Sequence, residues 1–167
     1  RNKARSAADA VAALNAGIRV EVVAERADEA RLCKLAGRVD LVLDGSDNYP
    51  ARFALNRACI AAGIPLVSAA AVRTEGQLAT FHPAAGGPCY RCLVPEEGAT
   101  GALSCSESGV LGPVVGVLGS LAALEAIKVL AGYGDDLRGS VLTLDLFDYQ
   151  VRRLALAPRP GCPDCGF

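Results

Sequence analysis

Leu41-Val42-Leu43-Asp44-Gly45-Ser46-Asp47-Asn48 decides how this chain is read. Val39, Leu41, Val42 and Leu43 make a nearly unbroken apolar run. That is the pattern of a parallel strand covered on both faces, whereas a half-exposed antiparallel strand alternates. Two acids, Asp44 and Asp47, and the amide of Asn48 follow where the strand gives way to a loop. Open α/β sheets bind ligands just outside the carboxyl ends of their strands, and magnesium takes hard oxygen ligands. The pair of acids therefore suits a magnesium–nucleotide site. A plainer reading is that Asp47 or Asn48 caps the next helix, with Pro50 near its first turn. Taken alone, these residues favour the cap.

The flanking segments set this strand in an α/β context. Ala4, Ala7, Ala8, Val11 and Leu14 recur at helical spacing, and Gly17 can end that helix. Ile18 to Val23 is rich in β-formers, and Ala27 to Ala36 is a second helix. After the pivot strand come a helix over Pro50 to Ala62, stopped by Gly63, and a short apolar strand over Pro65 to Ala69. Helix and strand alternate, which implies parallel pairing with right-handed crossovers. A chain opening on a helix lacks the strand that should feed it, so the domain is expected to start upstream of Arg1.

Farther on the pattern changes. Gln77 to Phe81 reads as a strand, and a loop rich in glycine, proline and cysteine runs from Ala84 to about Gly109. The longest helix, Val110 to Ala131, is apolar around most of its circumference, which predicts burial. Gly112, Gly116, Gly119 and Ala123 share one face, suited to close approach of the sheet or of a second subunit. Val141 to Phe147 and Val151 to Ala157 alternate and predict an antiparallel hairpin.

Composition excludes several classes of function. The chain has 167 residues, 51% of them hydrophobic, and a net charge of −1. It can build one core, and it has no electrostatic footprint for nucleic acid. Its first residues, Arg1 to Asp9, are polar and lead into no signal-like segment. The apolar run Val110 to Leu124 reads as too short to span a bilayer and meets Glu125 and Lys128, so no membrane partner is expected. No serine sits in a G-x-S-x-G elbow, which leaves a hydrolase triad unsupported.

Seven cysteines without a secretory signal point to thiols, metal or catalysis in a reducing, cytoplasmic compartment. Cys89-Tyr90-Arg91-Cys92 and Cys162-Pro163-Asp164-Cys165 are two C-x-x-C knuckles set among prolines and glycines. Four thiolates in two knuckles suit a closed, structural zinc site, which would tie the C-terminal tail to the middle of the chain. A redox pair is the competing reading, and iron in the same thiolates is a third. Cys33 and Cys59 fall within helices and read as core. Cys105 lies in a polar loop before the long helix, where a thiol can be activated or can be inert. His82 has no metal-ligand spacing and precedes Pro83, which suggests a turn or core role.

Several ordered stretches together carry a resemblance. They are Leu43-Asp44-Gly45-Ser46-Asp47-Asn48, Arg52, Asn56, Pro65-Leu66-Val67-Ser68, Ala70, Arg73, Glu75-Gly76-Gln77, Pro88-Cys89-Tyr90-Arg91-Cys92, Cys105, Gly109-Val110 and Gly161-Cys162-Pro163-Asp164-Cys165-Gly166. In this order they resemble the MoeB/ThiF family, ubiquitin-activating-like enzymes that adenylate sulfur-carrier proteins. The resemblance covers essentially the whole chain. It implies one α/β adenylation domain over residues 1–167, N-terminally incomplete. The implied fold is a Rossmann-like, mostly parallel sheet flanked by helices, with a C-terminal antiparallel hairpin and a structural zinc site.

The same resemblance implies a mechanism. The C-terminal glycine carboxylate of a ubiquitin-like carrier of the MoaD/ThiS type attacks the α-phosphate of ATP, giving an acyl-adenylate and pyrophosphate. Catalysis of this kind rests on positioning and on offsetting charge. By resemblance, Asp47 holds the magnesium or nucleotide with Asn48 beside it, and Lys3 neutralises phosphate charge. Cys89, Cys92, Cys162 and Cys165 match the zinc ligands, and Cys105 matches a cysteine that some members use in covalent chemistry with the carrier. A homodimer is implied as well. The family's glycine-rich phosphate turn, ribose-binding acid and an arginine segment are expected ahead of Lys3 and do not occur in this sequence. The 167-residue polypeptide alone is therefore expected not to adenylate a carrier. Two other readings stand beside this one: a catalytically silent, zinc-stapled interaction module, and a nicotinamide-dependent oxidoreductase. The second of these lacks a G-x-G-x-x-G.

Overall fold

The computed structural model describes residues 1–95 and 108–167. Helix α1 (Lys3–Leu14) is followed by α2 (Glu29–Ala36), β1 (Val42–Asp44), α3 (Tyr49–Ala62), β2 (Leu66–Val72) and β3 (Glu75–Phe81). Then come a 3-10 turn (Pro83–Ala85), α4 (Tyr90–Leu93), α5 (Gly112–Ala131), β4 (Ser140–Asp145) and β5 (Gln150–Ala155). Local signals set the helix bounds. Asp28 caps α2 and Asn48 caps α3, each accepting a backbone N–H with its side chain. Gly63 and Gly132 end α3 and α5 with φ of 69° and 61°, the left-handed cap that glycine adopts without strain.

The five strands form one sheet in the order β1-β2-β3-β4-β5. It is mixed, which corrects the expectation of a mostly parallel sheet. Only β1 and β2 run parallel; β2–β3, β3–β4 and β4–β5 are antiparallel. Connection length explains two of the three antiparallel pairs, β3–β4 being joined through the long helix α5. The helix α3 carries the chain back for a parallel pair, whereas two residues join β2 to β3 and four join β4 to β5, which permits only hairpins. Residues 18–23 form no strand: Ile18, Val20 and Val22 are exposed, and nothing among the described residues pairs with them.

Alternate residues of the sheet feed two cores, as the two-residue strand period requires. Leu66, Ala79, Phe81 and Val141 meet Phe53, Cys59 and Tyr90 on the α3 side. Val67, Leu78 and Leu144 meet Val114, Leu118 and Ala122 on the α5 side. The buried carboxylate of Glu125 locks α5 to the sheet, accepting from Thr80 Oγ1 at 2.5 Å and Leu137 N at 2.6 Å.

The helix α5 departs from the predicted burial. Only Val114, Leu118, Ala122 and Glu125 are buried, while Leu124, Ile127 and Leu130 are more than half exposed. The sheet covers one stripe, and no other described element covers the rest. Gly112, Gly116, Gly119 and Ala123 lie on the exposed side, so close approach to the sheet is achieved from the other direction: a Cβ on Gly76 would lie 2.6 Å from Leu118 Cδ1. At 20 residues α5 is also long and apolar enough to cross a bilayer, longer than the run read from sequence. Its packed stripe and hydrogen-bonded Glu125 make it a layer of this fold.

Gly76→Ala should therefore destabilise the protein by about 1–3 kcal/mol through overpacking against the buried Leu118. A lowered urea midpoint would show this, and an unchanged midpoint would contradict the close approach of α5 and β3.

Candidate functional site

The two acids at the end of β1 turn in opposite directions. Asp44 is 2% exposed. Its Oδ1 accepts from Ser46 N at 2.8 Å and its Oδ2 from Ser68 Oγ of β2 at 3.1 Å. Both lone-pair faces are thus committed within the protein, and Asp44 closes the turn that follows the strand. Asn48 is the helix cap, with Oδ1 accepting from Ala51 N at 3.0 Å. Asp47 is left exposed, so the cap and the ligand roles fall to neighbouring residues and do not compete.

Asp47 sits among positive groups. Donation by Asn48 Nδ2, 3.2 Å away, holds its carboxyl below the usual range, and its own backbone N–H and the charges of Lys3 and Arg52 add to this. Lys3, more than forty residues earlier in the chain, is thereby brought to the same end of the sheet. Arg52 is buried; its Nε and Nη2 donate to Ser46 O at 3.2 and 2.7 Å, and its guanidinium lies 5.9 Å from the centre of the Tyr49 ring. A cleft of about 270 Å³ opens here, lined by Gly45, Ser46, Asp47 and Arg52 on one side and by Ala69–Ala71, Val115 and Gly119 on the other. Small side chains on β2 and α5 keep it open. Its volume is just below the roughly 300–1,000 Å³ of whole small-molecule pockets.

A second site lies beneath α3. The sulfurs of Cys89, Cys92, Cys162 and Cys165 all fall within 4.8 Å of one another. The Cys89–Cys162, Cys89–Cys92 and Cys92–Cys165 separations are 3.6, 3.8 and 3.5 Å. Four thiolates about 2.3 Å from a tetrahedral zinc stand about 3.8 Å apart, so the donor set and its spacing are compatible with zinc. Burial pushes the Cys89 thiol well above its ordinary range and raises Cys165 to about 11. Burial also opposes ionisation of Cys162, but N–H donation from Cys165 and Asp164, with the neighbouring thiols, outweighs it and draws Cys162 down to about 7. A single preformed thiolate is the start of a metal site.

The residues that dock the second knuckle carried no signal readable from sequence chemistry alone. Asp164, between Cys162 and Cys165, accepts from Asn56 Nδ2 at 2.9 Å and from Arg91 Nη1 at 2.8 Å. Asn56 Oδ1 in turn accepts from Tyr90 N at 2.9 Å. Asn56 and Arg91 come from α3 and α4, more than seventy residues before Asp164, and only the fold shows that they converge.

The remaining candidates are simpler. Cys59 is buried, and burial first, then Asp44 and Cys33, pushes its thiol up to about 12, as befits an inert core position. His82 Nε2 lies 3.3 Å from Gly63 O at the head of the 3-10 turn, the turn role expected. Cys105 lies outside the described residues.

The family model described as the ThiF family matches residues 1–164. The chain is 46% identical over 164 residues to the molybdopterin-synthase adenylyltransferase of Escherichia coli, covering 98% of this chain and 66% of that protein. It is 41% identical over 169 residues to the sulfur carrier protein adenylyltransferase of Thermus thermophilus, covering 98% and 62%. The chain thus spans somewhat less than two thirds of these relatives. The crystal structure of E. coli MccB with succinimide superposes with a TM-score of 0.81 at 20% identity, over 100% of this chain and 51% of that one, which shows the shared fold.

Loading the metal-free protein with zinc should release protons, since the ligands bind as thiolates. Cys162 titrates near 7 instead of near 9, so its thiolate is present at pH 8 and protonated by pH 6. Calorimetry in buffers of different ionisation enthalpy should find more protons released at pH 6 than at pH 8; a release independent of pH would contradict this assignment.

Proposed function

The chain belongs to the ThiF family, and from that premise we propose that it carries the nucleotide-handling half of an ATP-dependent sulfur-carrier adenylyltransferase. The observation that carries this reading is the exposed Asp47 carboxylate at the carboxyl end of β1, beside Lys3 and Arg52 and over an open cleft. The proposed substrates are ATP and a ubiquitin-like sulfur carrier of the MoaD/ThiS type, in molybdopterin, thiamine or related sulfur transfer, in a cytoplasmic setting.

In the proposed reaction a carboxylate oxygen of the carrier's terminal glycine forms a bond to the α-phosphorus. The bond from that phosphorus to the bridging oxygen breaks, and its electron pair leaves with pyrophosphate. Asp47, with Asn48 beside it, holds the magnesium-bound triphosphate, and Lys3 offsets phosphate charge as a point cation. Arg52 fixes the Ser46 carbonyl and so the loop that carries Asp47. Magnesium, when bound, supplies Lewis-acid neutralisation of the phosphate oxygens. Cys89, Cys92, Cys162 and Cys165 would hold zinc with four thiolates, and the metal would then serve a structural role.

Carrier-dependent ATP–pyrophosphate exchange by the native protein tests this. Asp47→Ala should lower exchange on the order of 100-fold, the scale of one lost electrostatic contact in a transition state. Exchange undiminished in that variant would refute the role of Asp47.

A homodimer is part of the proposal. Leu111, Leu124, Ile127 and Leu130 leave an apolar face on α5 that no described element covers, and such faces mark association surfaces. Sedimentation equilibrium should give twice the chain mass, and Ile127→Asp should halve it. A wild type that sediments at the mass of one chain would remove the dimer from the proposal.

A further inference from the structure

We infer that Asn56 is a positioning residue for the thiolate cage: one buried side-chain amide joins the two knuckles, accepting from the first and donating to the second, and so governs how tightly the cage holds its metal. This rests on the reading of Cys89, Cys92, Cys162 and Cys165 as metal ligands.

Asn56 stands on α3 and belongs to neither knuckle. It is 1% exposed. Its Oδ1 accepts from the backbone N–H of Tyr90, the residue after Cys89, at 2.9 Å. Its Nδ2 donates to Oδ2 of Asp164, between Cys162 and Cys165, at 2.9 Å. The chemistry of the two partners fixes which way the amide points. A backbone N–H only donates and a carboxylate only accepts, so a flipped amide would satisfy neither. Arg91, between Cys89 and Cys92, donates from Nη1 to Oδ1 of Asp164 at 2.8 Å. The tail adds a contact of its own: Arg159 N donates to Cys92 Sγ at 3.3 Å.

Asparagine is the residue type this place requires. An aliphatic side chain would leave the Tyr90 N–H and one Asp164 oxygen buried without partners. An aspartate would satisfy Tyr90 but set one carboxylate against another. Either way the two thiolate pairs lose the group that sets their separation. Partners of metal ligands commonly change metal affinity by roughly 10–100-fold when removed.

The test exchanges the two groups. Asp164→Asn alone offers a single oxygen to two donors, Arg91 Nη1 and Asn56 Nδ2. Asn56→Asp alone sets two carboxylates face to face. Made together, the substitutions give every donor an acceptor again. The carboxylate at position 56 accepts from Tyr90 N and from the amide at position 164, whose oxygen remains for Arg91. Zinc retention by the native, zinc-loaded protein is measured against a chromophoric chelator. Each single variant should hold zinc less tightly by about 10-fold or more. The double variant should hold it about 5-fold or more better than either single, within the coupling expected of residues in contact. Loaded with cobalt, the double variant should recover the visible d–d bands of the wild type, which the single variants lose.

A double variant whose loss is the product of the two single losses overturns the inference. So do single variants that hold zinc as the wild type does, or a double variant that fails to accumulate. Should one single variant fail to accumulate, the other set against the double variant reads the same rescue; should both fail, accumulation of the double variant is the rescue. A wild type that binds no zinc through sulfur overturns the metal reading and the inference together. Zinc held by four sulfurs, with no rescue in the double variant, overturns the inference alone.

Discussion

The constraint on which this structure depends is the meeting of four sulfurs drawn from two knuckles 73 residues apart in sequence. Among the described residues no strand pairing holds the tail beyond β5, and Asp164 meets α3 and α4 where Cys162 and Cys165 are seated beside Cys89 and Cys92. Closing so long a loop costs entropy that grows with the logarithm of its length, and a few hydrogen bonds, each contributing about 1 kcal/mol net, would offset little of it. A metal bound by four thiolates does so readily, since structural zinc in small domains contributes on the order of 10 kcal/mol. The Arg91–Asp164 ion pair is almost fully desolvated and is therefore weak evidence for stability by itself. Its value is geometric: it aims the second knuckle at the first.

One turn along α3 from the cage, the sheet solves a different problem. A strand end must close its own backbone and still present a charge to a ligand. Asp44 and Asp47 divide these tasks. The inward acid, bonded to Ser46 N and Ser68 Oγ, gives the loop a fixed shape; the outward one keeps its charge exposed to solvent and within the electrostatic influence of Lys3 and Arg52. The same helix α3 carries Arg52 toward this loop and Asn56 toward the cage, four residues and so about one turn apart. Two sites that look separate are thus built on neighbouring positions of one rigid element.

Much of this was legible in the sequence, for reasons that differ by element. The knuckles were readable because thiolate pairs at C-x-x-C spacing have few other uses, and the caps of α3 because Asn48, Pro50 and Gly63 act locally. The strand 42–44 was readable from its apolar run. The sheet's polarity was not: an apolar run does not report strand direction, and the coverage of both faces that it suggested is not met either, since Leu43 is 48% exposed. Burial of α5 was overestimated because hydropathy shows which surfaces avoid water and not whether this chain covers them. Asn56, Asp164, Glu125 and Ser68 gave no chemical signal, since a buried polar residue is recognisable only by a partner that the fold supplies. The choice between cap and ligand at Asp47 was ambiguous because adjacent residues share the two roles.

Zinc K-edge X-ray absorption on the native protein as purified under reducing conditions tests the central constraint most directly. The account predicts one zinc per chain with four sulfur neighbours at about 2.3 Å and no lighter ligand. A first shell containing nitrogen or oxygen, or a zinc-free protein whose Cys89, Cys92, Cys162 and Cys165 are paired as disulfides, would contradict it.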